Sequence, residues 1–214
     1  MNDIAKIVYE KFFMRDLLGK ILPGTIISLA ILSSLGITDT SKIIPFQELR
    51  SLLWLFILAW SILAGLALQI LGELIGFHSA SPRPQRILFF IKITKWYQVN
   101  EDFRERLSLI RNASDEQWTS GAKEQRERFV YLKEGSGNLA LALLVLFLRY
   151  MFSGSAFYPL PMAILLFAII LYWSHLIHAT RQAFFEIRTL EQSSLLTSEK
   201  AQAMSERIRN PVIS

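Results

Sequence analysis

Uncharged, apolar positions run in long blocks along this chain, separated by stretches in which charged residues recur every few positions. Residues 21–38, ILPGTIISLAILSSLGIT, lie between Lys20 and Asp39, and residues 51–72, SLLWLFILAWSILAGLALQILG, lie between Arg50 and Glu73. At about 1.5 Å of rise per residue, both predict helices able to cross a hydrocarbon core of about 30 Å. A later uncharged run, Tyr150 to Thr180, is interrupted by YPLP at residues 158–161. Pro159 and Pro161 forbid one continuous helix, and Pro161 suits the first turn of a new one, LPMAILLFAIILYWSHLIHAT. The remaining block, KEGSGNLALALLVLFLRYMF, has only 14 uncharged residues between Glu134 and Arg149. If Arg149 reaches outward along its own stem, a helix from Gly135 to Phe152 covers about 27 Å, which suffices.

The pattern therefore predicts an all-α chain built on a four-transmembrane-helix bundle. Its expected parts are an interfacial amphipathic helix at 1–20, a first transmembrane hairpin at 21–72, a cytoplasmic helical loop at 73–134, a second hairpin at 135–180 and a cytoplasmic helical tail at 181–214. The stretch FFMRDLLGKILPG lacks the basic start and small-residue cleavage pattern of an export signal, and reads as an interfacial helix turning into a retained span at Pro23 and Gly24.

Composition supports a membrane protein: 52% of the 214 residues are hydrophobic, 19% are charged, and mean hydropathy is +0.33. There is no cysteine, which excludes a disulfide framework, a thiol nucleophile and cysteine-based metal sites. Charge placement sets the orientation. With four spans, every Lys and Arg except Lys42, Arg50 and Arg149 falls on one side, whereas three spans would move the basic residues of the tail across. Basic residues sort to the cytoplasm, so both termini and the middle loop are expected there, in a bacterial inner membrane. Trp54, Tyr150 and Tyr158 mark the outer rim, and Tyr172, Trp173 and Phe77 the inner one. Only short segments are left outside, which argues against a receptor for external ligands.

The middle loop has two halves. Arg83, Arg86, Lys92 and Lys95 are interleaved with Ile87, Phe89, Phe90, Ile93 and Trp96 without an acidic residue. That suits a helix lying against anionic lipid headgroups, although the alternation from Ile87 to Ile93 also permits a strand. Nucleic acid is the less favoured reading of the same basic and aromatic mixture. The second half opens with Ser114 and Gln117 at capping-box spacing, then repeats Trp118, Ala122, Phe129 and Leu132 on one face, predicting an amphipathic helix that feeds into the third span.

Within the second span Ser61, Gly65, Gln69, Gly72 and Gly76 fall on one side of the helical wheel and form a close-packing face, either inside one subunit or between subunits. Asn138 should lie near the depth of Gln69, which makes the two an expected interhelical hydrogen bond. Glu73, His78, His175 and His178 gather near the inner rim. They could hold a metal or relay a proton, or Glu73 could pair with Arg181 or Lys20 while the histidines sit at the interface. No phosphate-binding glycine loop, nucleotide fingerprint or dense carboxylate cluster is present, so no cofactor is expected.

At FFMRDLLGKILPG and QRERFVYLKEGSGNLALAL the chain resembles small multi-pass bacterial inner-membrane proteins found as accessory components of phage-defence operons. The resemblance implies a homo-oligomeric membrane component that anchors a cytoplasmic protein partner or perturbs the membrane on infection, with Arg15, Asp16, Pro23, Gly24, Glu134 and Asn138 as packing or positioning groups. The expectation is a non-enzymatic protein with the lipid bilayer as its solvent. A small channel or transporter is the alternative, and a metal-dependent membrane enzyme the third reading.

Overall fold

The computed structural model describes residues 16–34, 50–74, 94–153 and 159–209. These residues are helical almost throughout, with no strand among them. In chain order they form a π-helical turn, Leu17–Ile21, continuous with α1, Leu22–Ser34; then α2, Arg50–Leu74; α3, Thr94–Asn112; a 3-10 turn, Asp115–Gln117; α4, Ser120–Phe152; α5, Pro159–Gln192; and α6, Ser198–Arg209. The chain divides into two compact units, Met1–His78 with Glu134–His175, and Ser79–Lys133 with Leu176–Ser214. Both α4 and α5 contribute one part of their length to each unit. These two helices are long and apolar enough to cross a membrane.

The entry to α1 departs from expectation. No turn occurs at Pro23 and Gly24, because Asp16 is already helical and the chain continues without a break to Ser34. Pro23 lacks an N–H, so the Gly19 carbonyl four residues earlier has no helical donor, and the proline ring crowds that carbonyl. The backbone responds with the wider π turn, closed by the Leu22 amide donating to the Leu17 carbonyl. Asn138 on α4 then donates its side-chain N–H to the freed Gly19 carbonyl. This corrects the expected partnership of Asn138 with Gln69: the stronger claim on the amide is an orphaned backbone acceptor in apolar surroundings.

The π turn and α1 pack against α2, with backbone approaching backbone at two glycines. A Cβ added to Gly24 would lie 1.7 Å from the Ser61 carbonyl oxygen, and one added to Gly65 would lie 2.2 Å from the Lys20 carbonyl oxygen. Only hydrogen fits at either position. The Thr25 hydroxyl, which donates to the Ile21 carbonyl at 2.8 Å, lies 3.1 Å from the Ser61 hydroxyl across the same crossing, and Ser28 donates back to the Gly24 carbonyl at 2.6 Å. Leu68 of α2 joins Leu141 and Ala142 of α4, with Ile26, Ile27 and Leu144 against them. Residues 135–142 of α4 include Gly135, Gly137, Asn138, Ala140, Leu141 and Ala142, all buried, so this part of the helix is enclosed on more than one side. Its low share of large apolar residues follows from that position.

The large apolar side chains of this unit point the other way. Leu55, Leu63 and Ile70 of α2, and Leu166, Phe167 and Trp173 of α5, are exposed. Among the described residues every exposed large apolar side chain lies between Leu22 and Leu71 or between Leu148 and Ile177. In the second unit the partition is the ordinary one. Trp118, Ile187, Leu190, Leu196, Ala201 and Met204 form its core, with Leu109, Ile110, Ala113 and Ala122 packed around them.

Two local signals hold the second unit's turns. The capping box at Ser114 and Gln117 is present, the Gln117 side chain accepting from the Ser114 amide at 2.8 Å, but it caps the 3-10 turn instead of opening α4. Trp118 is pulled into the core directly after it, so helix cannot continue, and Thr119 accepts from the Ala122 amide to start α4. At the end of α5 the Leu195 amide donates to the Leu190 carbonyl and the Ser194 amide to the Glu191 carbonyl, with Ser194 at φ 58°. This is a Schellman ending with serine where glycine is favoured.

Two outcomes follow from these geometries. Gly65→Leu should destabilise the detergent-solubilised protein by about 2 kcal/mol or more through overlap with Lys20, while Leu63→Ala, on the exposed side, should be near neutral; equal thermal shifts for both would refute the α1–α2 crossing. Ser194→Gly should raise stability by about 1 kcal/mol by relieving the left-handed backbone; a loss on denaturant unfolding would contradict the turn.

Candidate functional site

Of the inner-rim residues singled out in the sequence, His175 is fully buried and stacks on Tyr172 with ring centroids 5.9 Å apart. His178 is half-buried one turn further along α5. His78 and the Glu73 side chain lie outside the described residues, and Lys20 pairs with Asp16 at 2.7 Å. No group of three or more metal-ligating side chains gathers among the described residues. Arg83, Arg86 and Lys92 lie outside the described residues, as does the side chain of Lys95 in the first turn of α3. In the close-packing stripe Ser61, Gly65 and Gly72 are buried, Gln69 is half-buried and Gly76 is outside the described residues. Ser61 and Gly65 face α1 of the same chain.

The densest polar constellation lies in the second unit, around Glu186 of α5. Arg106 of α3 donates its Nε–H to Glu186 Oε2 at 2.8 Å, and Arg126 of α4 donates to Oε1 at 2.8 Å. Gln182, one turn before Glu186, donates to the same Oε1 at 2.8 Å. The Glu186 side chain is 2% exposed and that of Arg106 is 3%. One carboxylate thus ties three helices together. Arg106 also lies over the Phe103 ring at 5.4 Å, and Phe129 of α4 meets Phe185 of α5 at 5.8 Å. Burial lowers the Arg106 pKa from its ordinary value while the Glu186 carboxylate pushes it back up. A guanidinium stays protonated through such a shift.

One turn earlier on α3, Asp102 accepts from Arg207 of α6 at 2.8 Å through Oδ1. Its other oxygen, Oδ2, is buried without a donor among the described residues. Burial raises the Asp102 pKa above the ordinary 3.8, and Arg207 offsets only part of that. Glu105 pairs with Lys200 on the same pair of helices. The arrangement fixes α3 onto α4 and α5 by a buried charge network and onto α6 by rim pairs. It presents charged groups to one another.

Comparison with family models, curated proteins and solved structures finds no match for this chain. Its chemistry therefore rests on its own residues.

The network was not singled out in the sequence, yet a signal for it exists. Asp102 and Arg106 are four residues apart and continue into Leu109, Ile110 and Ala113 at helical spacing, so they sit on the apolar stripe of α3 instead of its solvated face. Gln182 and Glu186 do the same with Ala179, Ala183 and Leu190 on α5. Charged residues in register with a buried stripe require partners.

Glu186→Gln leaves two guanidinium groups facing an uncharged amide, one of them buried, and should cost about 3–5 kcal/mol of stability. Asp102→Asn should behave oppositely. A raised native pKa means that the folded state binds the proton more tightly than the unfolded state, so the stability from this group is greatest at low pH and declines as pH rises through the raised value. The Asn variant should equal or exceed the native protein in thermal stability at pH 7, with the difference vanishing on acidification below the ordinary 3.8. A difference that grows on acidification would contradict the assignment.

Proposed function

We propose that this chain is a non-enzymatic, four-span component of the bacterial inner membrane, with both termini in the cytoplasm, whose second unit holds a cytoplasmic protein partner. The observation that carries the reading is the reversal of side-chain partition between the two units. On α1, α2 and the first-unit parts of α4 and α5, small and polar residues such as Gly24, Ser28, Ser61, Gly65 and Asn138 are packed inside while Leu, Ile, Phe and Trp face outward. Water would penalise that surface heavily; lipid favours it. The second unit, with its apolar core and exposed charges, suits water.

The lengths agree with this assignment. The helical run of residues 17–34 spans about 27 Å and α2 about 37 Å at the standard rise, and their apolar stretches among the described residues, Leu17–Leu32 and Ile57–Gly72, form the middle of the proposed first hairpin. The parts of α4 and α5 in the first unit supply the second. The excess of Lys and Arg in the remaining segments supports a cytoplasmic position for them. Thr25, Ser28 and Asn138 direct their donors to Ile21, Gly24 and Gly19 carbonyls, so these polar groups serve helix contacts, which disfavours a conducting path through them.

The resemblance to membrane components of phage-defence operons supplies the biological setting: an oligomer that anchors or responds to a partner when infection perturbs the cell. With Ser61 and Gly65 engaged by α1, the contact between subunits falls to another face of the bundle.

Reporters test the topology. A cytoplasm-dependent reporter fused after Ser214, and another inserted near Asn112, should both be active; an export-dependent reporter active at either position would remove the four-span reading.

A further inference from the structure

We propose that helix α6 is a displaceable cover, and that the apolar face beneath it is the docking site for an amphipathic helix of a cytoplasmic protein partner with basic residues along one edge. This rests on the partner reading above for the class of occupant and adds where and how that occupant binds.

The cover is lightly held. Of α6, only Ala201 and Met204 are wholly buried, with Ile208 partly so, and they sit on a face made by Trp118, Ile187, Leu190 and Leu196. Along its edge Lys200 pairs with Glu105, Arg207 pairs with Asp102, and Arg209 lies over the Phe184 ring at 5.5 Å. The Lys200 and Arg207 side chains are 51% and 41% exposed, so water competes for both pairs. The Schellman hydrogen bonds that end α5 run between residues 189 and 196 and involve no residue of α6. Removing α6 from its seat therefore leaves the end of α5 intact.

The seat is also better suited to another occupant. Asp102 is almost wholly buried, yet Arg207 reaches only Oδ1, and Oδ2 has no donor among the described residues. A guanidinium approaching as a fork would bond both oxygens. The fitting ligand is thus a helix with apolar residues spaced like Ala201, Met204 and Ile208, and with basic residues seven apart, as Lys200 and Arg207 are, to face Glu105 and Asp102. In the resting chain α6 occupies this place in cis, and a partner that satisfies Asp102 fully displaces it.

Hydrogen exchange on the full-length protein in detergent tests the first half. The amides of residues 201–209 should exchange through an opening at least about tenfold more populated than the one exposing residues 184–190; a single shared opening would show that α6 is integral core and overturn the proposal. For the second half, a labelled peptide of residues 197–209 should bind saturably to the full-length Met204→Glu variant and about tenfold more weakly to the native chain, whose own α6 competes. The same peptide with Lys200→Glu and Arg207→Glu should bind the variant at least about tenfold more weakly still, because like charges then face Glu105 and Asp102. Absence of peptide binding, indifference to the charge reversal, or a dimer that exchanges α6 between copies would each overturn it. None of these readouts depends on membrane topology, so their failure is distinguishable from failure of the four-span reading.

Discussion

The Gly19 carbonyl is the acceptor around which the first unit is organised. Pro23 deprives it of its helical donor, and an unpaired carbonyl at a buried position is costly. The chain answers twice, by widening the backbone into a π turn and by placing Asn138 of α4 opposite the freed oxygen. The first answer lets the helix pass Pro23 without stopping. The second fixes α4 beside α1 at a defined register, with Gly135 against Leu18 one turn away. Because α1 is in turn pressed onto α2 at Gly24 and Gly65, three helices are located by one proline.

The second unit solves a different problem with different chemistry. Its apolar contacts at Trp118, Leu190 and Met204 are of the kind that any small helical domain in water uses. Registry comes from Glu186, whose two oxygens receive Arg106, Arg126 and Gln182. A buried carboxylate shared by two guanidinium groups contributes little net stability against an apolar equivalent, but it penalises every misaligned packing of α3 on α4 and α5. Backbone satisfaction specifies one unit and charge satisfaction the other.

How far the sequence discloses this depends on which quantity each feature registers. The helices were legible because apolar runs and helical periodicity are local properties, and the all-helical class followed from them. The small-residue face of α2 was legible for the same reason at Ser61, Gly65 and Gly72. Its counterpart at Gly24 was noted only as part of the entry to α1, since one glycine beside a proline reads as a turn until the neighbouring backbone is known. The partner of Asn138 could not be read from depth alone: side-chain polarity suggested Gln69, whereas the deciding fact was the missing N–H of Pro23. The Arg106–Glu186 contact joins positions far apart in sequence, and only the register of Asp102 and Arg106 with the stripe of α3 hinted that these charges are buried.

The crossing of α1 over α2 also bears on how the molecule responds to temperature. Glycine, serine, threonine and backbone atoms make its closest approaches, and on the proposed four-span reading it draws on dispersion and polar contacts with no release of ordered water. Its strength therefore has little of the heat-capacity signature that accompanies burial of apolar surface from water. The core around Trp118 and Ile187 has that signature in full and loosens on cooling. On that reading the first unit keeps its grip in the cold while the second softens, and most of the heat-capacity change on unfolding belongs to the second unit.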